Sequence, residues 1–152
     1  MKLEIELVPQ TSFFNNVRAI VTKEEWDVIR KECYRNAGYK CEICGGIGEK
    51  WPVECHEIWK YDDQSHIQTL SGMIALCPAC HEVKHFGYAN VKGNSERALL
   101  HFMKINELDK FEAARLIDKS FRLWESRSQY QWTVDMTYLV NKVSSIGENN
   151  VR

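Results

Sequence analysis

Two short runs decide how this chain is read: Cys41-Glu42-Ile43-Cys44-Gly45-Gly46, and Leu76-Cys77-Pro78-Ala79-Cys80-His81-Glu82-Val83-Lys84-His85. Two thiolates separated by two residues can both sit about 2.3 Å from one zinc, and two such pairs complete a tetrahedron. Each pair has its own turn chemistry, Gly45-Gly46 after the first and Pro78 inside the second. Cys41, Cys44, Cys77 and Cys80 are therefore expected to hold a structural Zn2+, in preference to two disulfides or four unrelated buried thiols.

The second run goes straight from its cysteines into an expected helix. His81 and His85 stand four apart, so they share one helix face. Upstream, Pro52 to Trp59 reads as a strand carrying His56, followed by a polar loop over Lys60 to Ser65. A strand bearing one histidine, packed on a helix bearing two, can make a second metal site. That site would be open, because few protein ligands are available to fill it.

The order of these parts resembles the HNH endonucleases of the ββα-metal class: Cys-x-x-Cys, a strand with His beside a second polar residue, then Leu-Cys-x-x-Cys-His-x-x-x-His. The resemblance covers residues 41–85 and is most specific over Leu76 to His85. It implies that His56 and His81 ligate a catalytic Mg2+ or another divalent metal, and that Glu57 stands at the general-base position. It also implies that His85 contacts the phosphate or assists the metal. The chain departs from the family pattern twice. Glu57 stands where a histidine is usual, and the family's asparagine falls near Gly72 in Ser71-Gly72-Met73, where neither Gly72 nor Ser71 has a carboxamide. A one-residue slip would make His56 the base and put Cys55 at the ligand position, turning every side chain of the strand to its other face.

The remaining sequence supplies a frame. The fold class expected is α+β, a ββα-metal core over 41–86 with flanking helices at 22–38 and 94–127. Residues 1–141 form one domain in this reading, and 142–152 a frayed tail. Leu3, Ile5 and Leu7 alternate with Lys2, Glu4 and Glu6, the pattern of a half-buried strand. Gln131 to Val140 alternates as well, and the two segments are expected to pair. Phe13 and Phe14 are expected in the core. Thr22 with Glu25, and Asp109 with Glu112, have capping-box spacing, and Gly38 is a natural helix stop. The helix after Thr22 is expected to brace the zinc module. Gly87 and Gly93 mark a loop.

Composition limits the function. The chain has 152 residues, 44% of them apolar, enough for a real core. Its net charge of −1 gives no global attraction to nucleic acid, so binding must rest on a local patch. Arg97, His101, Lys104, Lys84 and Lys92 are candidates for a basic rim. Six cysteines without a signal peptide suggest a reducing cytoplasm. No apolar run approaches the ~20 residues that span a bilayer, so no membrane partner is expected. The expectation is a metal-dependent endonuclease acting on nucleic acid, with DNA favoured, its oligomeric state open. The alternative is an inactive zinc-held binding module for nucleic acid or protein. The weak step is the base: an ordinary glutamate at about 4.3 is a poor proton acceptor unless burial raises it. His66, in the loop after the strand, is the other candidate for that proton.

Overall fold

Local signals set most of the element boundaries. Asn16 caps α1 (Val17–Ile20) by accepting the Ala19 N–H. Thr22 and Glu25 form a full capping box on α2 (Lys23–Asn36), each side chain accepting the other residue's backbone N–H. The helix ends at Gly38 (φ +63°), and Tyr39 follows with a φ of +59°. The chain then enters the first cysteine pair and reaches β1 (Glu54–Asp62), which pairs antiparallel with β2 (Ile67–Leu76). Asp62 shapes the turn between them, its Oδ1 accepting the N–H groups of Gln64 and Ser65 at 3.0 and 3.1 Å.

The second cysteine pair turns β2 into α3 (Pro78–Lys84). Cys77 Sγ caps it by accepting the Cys80 N–H, and Pro78 takes a first-turn position where no N–H is needed. Then come α4 (Phe86–Val91), α5 (Ser95–Asn106) and α6 (Lys110–Arg127), the last with its Asp109/Glu112 capping box in place. Finally β3 (Thr133–Asp135) pairs parallel with Ile67 to Thr69. The sheet order is β1-β2-β3, so β1 is an edge strand.

This computed structural model describes residues 1–140 and 142. They form a mixed α+β fold with a three-stranded sheet and six α-helices. The frayed tail expected over 142–152 lies, from 143 on, outside the described residues.

Several expectations are corrected. Residues 2–8 form no strand, and they do not pair with the C-terminal segment. Asn106 takes their polar groups instead: its Oδ1 accepts the Lys2 and Leu3 N–H groups, and its Nδ2 donates to the Leu3 carbonyl at 2.8 Å. Leu3 is thereby pegged, fully buried, into the cluster of Leu76, Val83, Phe86 and Phe102. Burying such a side chain contributes about 2 kcal/mol. Of Gln131 to Val140 only three residues are strand, and Thr137–Leu139 closes into a 3₁₀ turn that buries Leu139.

Phe13 and Phe14 are exposed (57% and 80%), their rings packed edge to face on each other at 5.5 Å. The α2 side chains Ile29 and Cys33 are buried in the two clusters that include Leu70 and Ala75 of β2, so α2 packs chiefly against the sheet. Gly87 lies inside α4 rather than in a loop. A Cβ there would meet only Leu7 and Phe121 at ordinary contact distance.

Candidate metal centre

The four cysteines converge as their spacing requires. Their sulfurs all lie within 4.8 Å of one another, and Cys44 Sγ is 3.6 Å from Cys77 Sγ. Four sulfurs about 2.3 Å from a central ion are separated by about 3.8 Å, so this donor set fits a tetrahedral metal. A disulfide needs about 2.05 Å. Backbone N–H groups already point at the sulfurs: Cys44 N–H at Cys41, Gly46 N–H at Cys44, and Cys80 N–H at Cys77, at 3.4–3.5 Å. The hydrogen bond between Cys41 and Cys80 pulls the Cys41 thiol down, against the upward push of burial, and pushes Cys80 up. Thiolate is the form that ligates metal.

One contact here has no signal in the sequence. His101, on α5, brings Nε2 to 3.2 Å from Cys80 Sγ. Two of the residues expected to form a basic rim are engaged by carboxylates. Lys84 is buried against Glu6 at 2.8 Å, and Arg97 is held by both carboxylate oxygens of Glu82.

The second group is His56, His81 and His85, whose ligand atoms also lie within 4.8 Å of one another. Their ring centroids are 4.7–5.2 Å apart. Nε2 of His81 and Nε2 of His85 are 3.1 Å apart. Two nitrogens bound at about 2.1 Å to one ion in adjacent positions have about that separation. His56 comes from β1 and the other two from the end of α3, which the hairpin brings alongside. The three rings therefore face one point from two elements.

Neighbouring carboxylates orient two of the rings. Glu54 Oε1 takes His81 Nδ1 at 3.0 Å, which leaves Nε2 facing the cluster. Glu6 Oε2 lies 3.4 Å from His56 Nε2, and its other oxygen receives Lys84. Burial pushes Glu6 up, but the hydrogen bond with His56 and the Lys84 charge pull it below its ordinary value. Burial lowers His56, and it lowers His85 to about 3, helped by the charges of His81 and His56. Both rings are therefore neutral at physiological pH, as ligation requires.

Glu57 is not a member of the histidine group. Its side chain leaves the strand on the opposite face and takes the Val17 backbone N–H and a Trp59 hydrogen bond. Because β1 is an edge strand, both faces open onto one cavity of about 350 Å³ lined by Glu57 and all three histidines. Glu57 Oε2 has no hydrogen-bond partner among the described residues. Burial lifts this carboxyl to about 7.

His66 is excluded from this site. It sits at the hairpin turn with a φ of +57°, stacked on Tyr130 at 4.2 Å, six strand residues or roughly 20 Å from His56. Gly72, where the resemblance expects an asparagine, is buried on β2 opposite Ile58, and Ser71 Oγ donates to the Ile58 carbonyl at 3.1 Å. Cys55 and Cys33 lie together in a small apolar cluster with Val53 and Ala75, apart from both metal groups. No helix among the described residues is long and apolar enough to cross a membrane.

No family model matches the chain, and no curated protein or solved structure matches it. The two metal groups and the cavity are what bear on function.

Proposed function

We propose that the histidine cavity is the active centre of a metal-dependent endonuclease of the HNH type, hydrolysing phosphodiester bonds of DNA. The observation that carries this reading is the meeting of His56, His81, His85 and Glu57 around one cavity at the edge of the hairpin. The order antiparallel hairpin, cysteine turn, helix supports the same reading.

Cys41, Cys44, Cys77 and Cys80 hold a structural zinc in this proposal, with every sulfur used and no vacancy for a substrate. His56, His81 and His85 would hold the second ion. A divalent ion held there would supply Lewis-acid stabilisation of the charge that develops on the phosphodiester. Imidazole ligands suit a transition ion such as Zn2+ or Ni2+ better than Mg2+, which prefers oxygen ligands.

The chain's own residues do the rest. Glu54 and Glu6 fix the ring orientations. Glu57, raised to about 7, is poised to accept a proton from an attacking water near neutral pH. In this way burial answers the objection that an ordinary glutamate is too acidic for the task.

Plasmid nicking tests the reading. Wild-type protein with Mn2+ or Ni2+ is expected to convert supercoiled to open-circular DNA, and His81→Ala to lose that activity. Equal nicking by the variant would overturn the assignment. A second reading, an inactive zinc-held binding module, has the missing carboxamide at Gly72 in its favour. One bound zinc per chain, with no second ion taken up under any condition, would select it.

A further inference from the structure

The loop from Cys44 to Pro52 ends in an exposed indole whose placement is fixed. Trp51 is 50% exposed, and its Nε1 donates to Glu54 Oε2 at 3.1 Å. The other oxygen of that carboxylate holds His81 Nδ1 at 3.0 Å. Gly48 closes the loop tightly: its N–H donates to the Pro52 carbonyl at 2.9 Å, and a Cβ on it would strike Pro78 at 2.7 Å. Trp51 is therefore a rigid, half-open aromatic face one carboxylate away from a proposed metal ligand.

A second ring stands nearby. Tyr39 is 53% exposed and has a φ of +59°, a conformation that costs a non-glycine residue of order 1 kcal/mol. Tyr39 and Trp51 line one groove of about 850 Å³ together with Arg18, Lys23, Trp26 and His81. Arg18, Trp26 and His81 also line the histidine cavity, so the groove runs into it.

We infer that this groove binds an unpaired strand of nucleic acid, its bases stacked on Trp51 and Tyr39 and its phosphates met by Arg18 and Lys23. The inference rests on the nuclease reading of the cavity and adds the substrate class. Unpaired bases offer free π-faces, and stacking on aromatic side chains is the sequence-tolerant way to hold them. A duplex keeps its bases stacked on each other and is gripped through many phosphate contacts. The chain is poorly equipped for that grip: its net charge is −1, and Lys84, Arg97, Arg122 and Arg127 are all taken by carboxylates.

The test is fluorescence anisotropy of the full, zinc-loaded chain with a labelled thymidine 12-mer and with a duplex of equal length. No other divalent ion is added, and oligonucleotide length is checked on a gel. The single strand is expected to bind at least tenfold tighter than the duplex. Trp51→Ala and Tyr39→Ala should each weaken it about tenfold, while Trp51→Phe keeps most of the affinity. Arg18→Gln with Lys23→Gln should lower the slope of log affinity on log salt by about 1.4, at ~0.7 for each phosphate that is no longer neutralised. Zinc content and thermal melting confirm that each variant is folded.

Equal or tighter duplex binding would overturn the inference, as would unchanged single-strand affinity in both folded aromatic variants. Cleavage is scored separately with Mn2+. Binding without cutting removes the nuclease reading and leaves the groove, whereas plasmid nicking by a chain that does not prefer single strands does the reverse.

Discussion

His81 meets Glu54 through Nδ1 at 3.0 Å, and that contact decides which ring nitrogen faces the cavity. With Nδ1 directed at the carboxylate, Nε2 is the nitrogen that faces Nε2 of His85, 3.1 Å away. The hydrogen bond from His81 also holds Glu54 below its ordinary value, so the carboxylate stays charged near neutrality. A ligating imidazole backed by an anionic carboxylate is a better donor and keeps a single orientation.

Glu54→Gln should therefore weaken the second metal site without touching the cysteine site. The expected loss in affinity for Mn2+ or Ni2+ is about 10- to 100-fold, measured by calorimetric titration of the zinc-loaded chain. Zinc content should be unchanged. Wild-type affinity in the variant would show that Glu54 does not orient His81.

Glu57 predicts a pH dependence of the opposite sign to that of most carboxylates. Its folded value is about 7 against an ordinary 4.5. Below 4.5 it is protonated in both folded and unfolded chains and has no effect. Between 4.5 and 7 the folded chain holds a proton that the unfolded chain has released, so stability falls as pH rises. By 1.36 kcal/mol per unit the penalty is on the order of 3 kcal/mol above pH 7. Glu57→Gln should thus raise the melting temperature by several degrees at pH 8, an advantage that vanishes near pH 4.5, while abolishing nicking. A uniform shift at both pH values would contradict the burial argument.

What the sequence revealed was what local chemistry controls. Thr22 with Glu25, Asp109 with Glu112, the two cysteine turns and the four-residue step from His81 to His85 each act within one turn of chain, and each formed as expected. Alternation misled where it stood without a partner. Leu3, Ile5 and Leu7 have the period of a strand, but the sheet edges lie elsewhere and Asn106, 103 residues on, satisfies Leu3 instead. The supporting residues were hidden for the same reason. Nothing local ties His101 to Cys80, Glu6 to His56 or Glu54 to His81, because those contacts exist only once helix and hairpin have docked. A signal was available for Glu54 alone, two residues from His56 and so on the same strand face.

His101 and Cys80 predict the kinetics of the sulfur-bound ion. A ring N–H directed at a thiolate lowers its exposed charge and holds it in place. His101→Phe should speed zinc release to a chromogenic chelator about 10- to 100-fold. Complete removal of the ion by a strong chelator should abolish cooperative unfolding of the wild type, since the cysteine group lies in the same cluster as Leu3, Leu76 and Phe102. Zinc release at the wild-type rate from His101→Phe would count against the contact.

Lys84 and Glu6 form a largely buried ion pair, with the lysine side chain only 8% exposed. The Glu6 N–H also donates to the Lys84 carbonyl at 3.2 Å, so backbone and side chain fasten the N-terminal segment to α3. Lys84→Met keeps the aliphatic stem and removes the charge, leaving the Glu6 carboxylate without its cation beside His56. Losing one partner of a fully buried pair costs about 3–5 kcal/mol. Glu6 is a third exposed, so about 2 kcal/mol is expected in urea denaturation at pH 7. Glu6→Gln in the Lys84→Met background should recover part of that loss, because a neutral amide can stay where an unpaired carboxylate cannot. Glu6 titrates below its ordinary 4.5 in the folded chain, so the pair's contribution is present above that pH and is lost as pH falls through the folded value. The recovery should shrink over the same range. Simple additivity of the two substitutions at pH 7 would show that the pair is uncoupled.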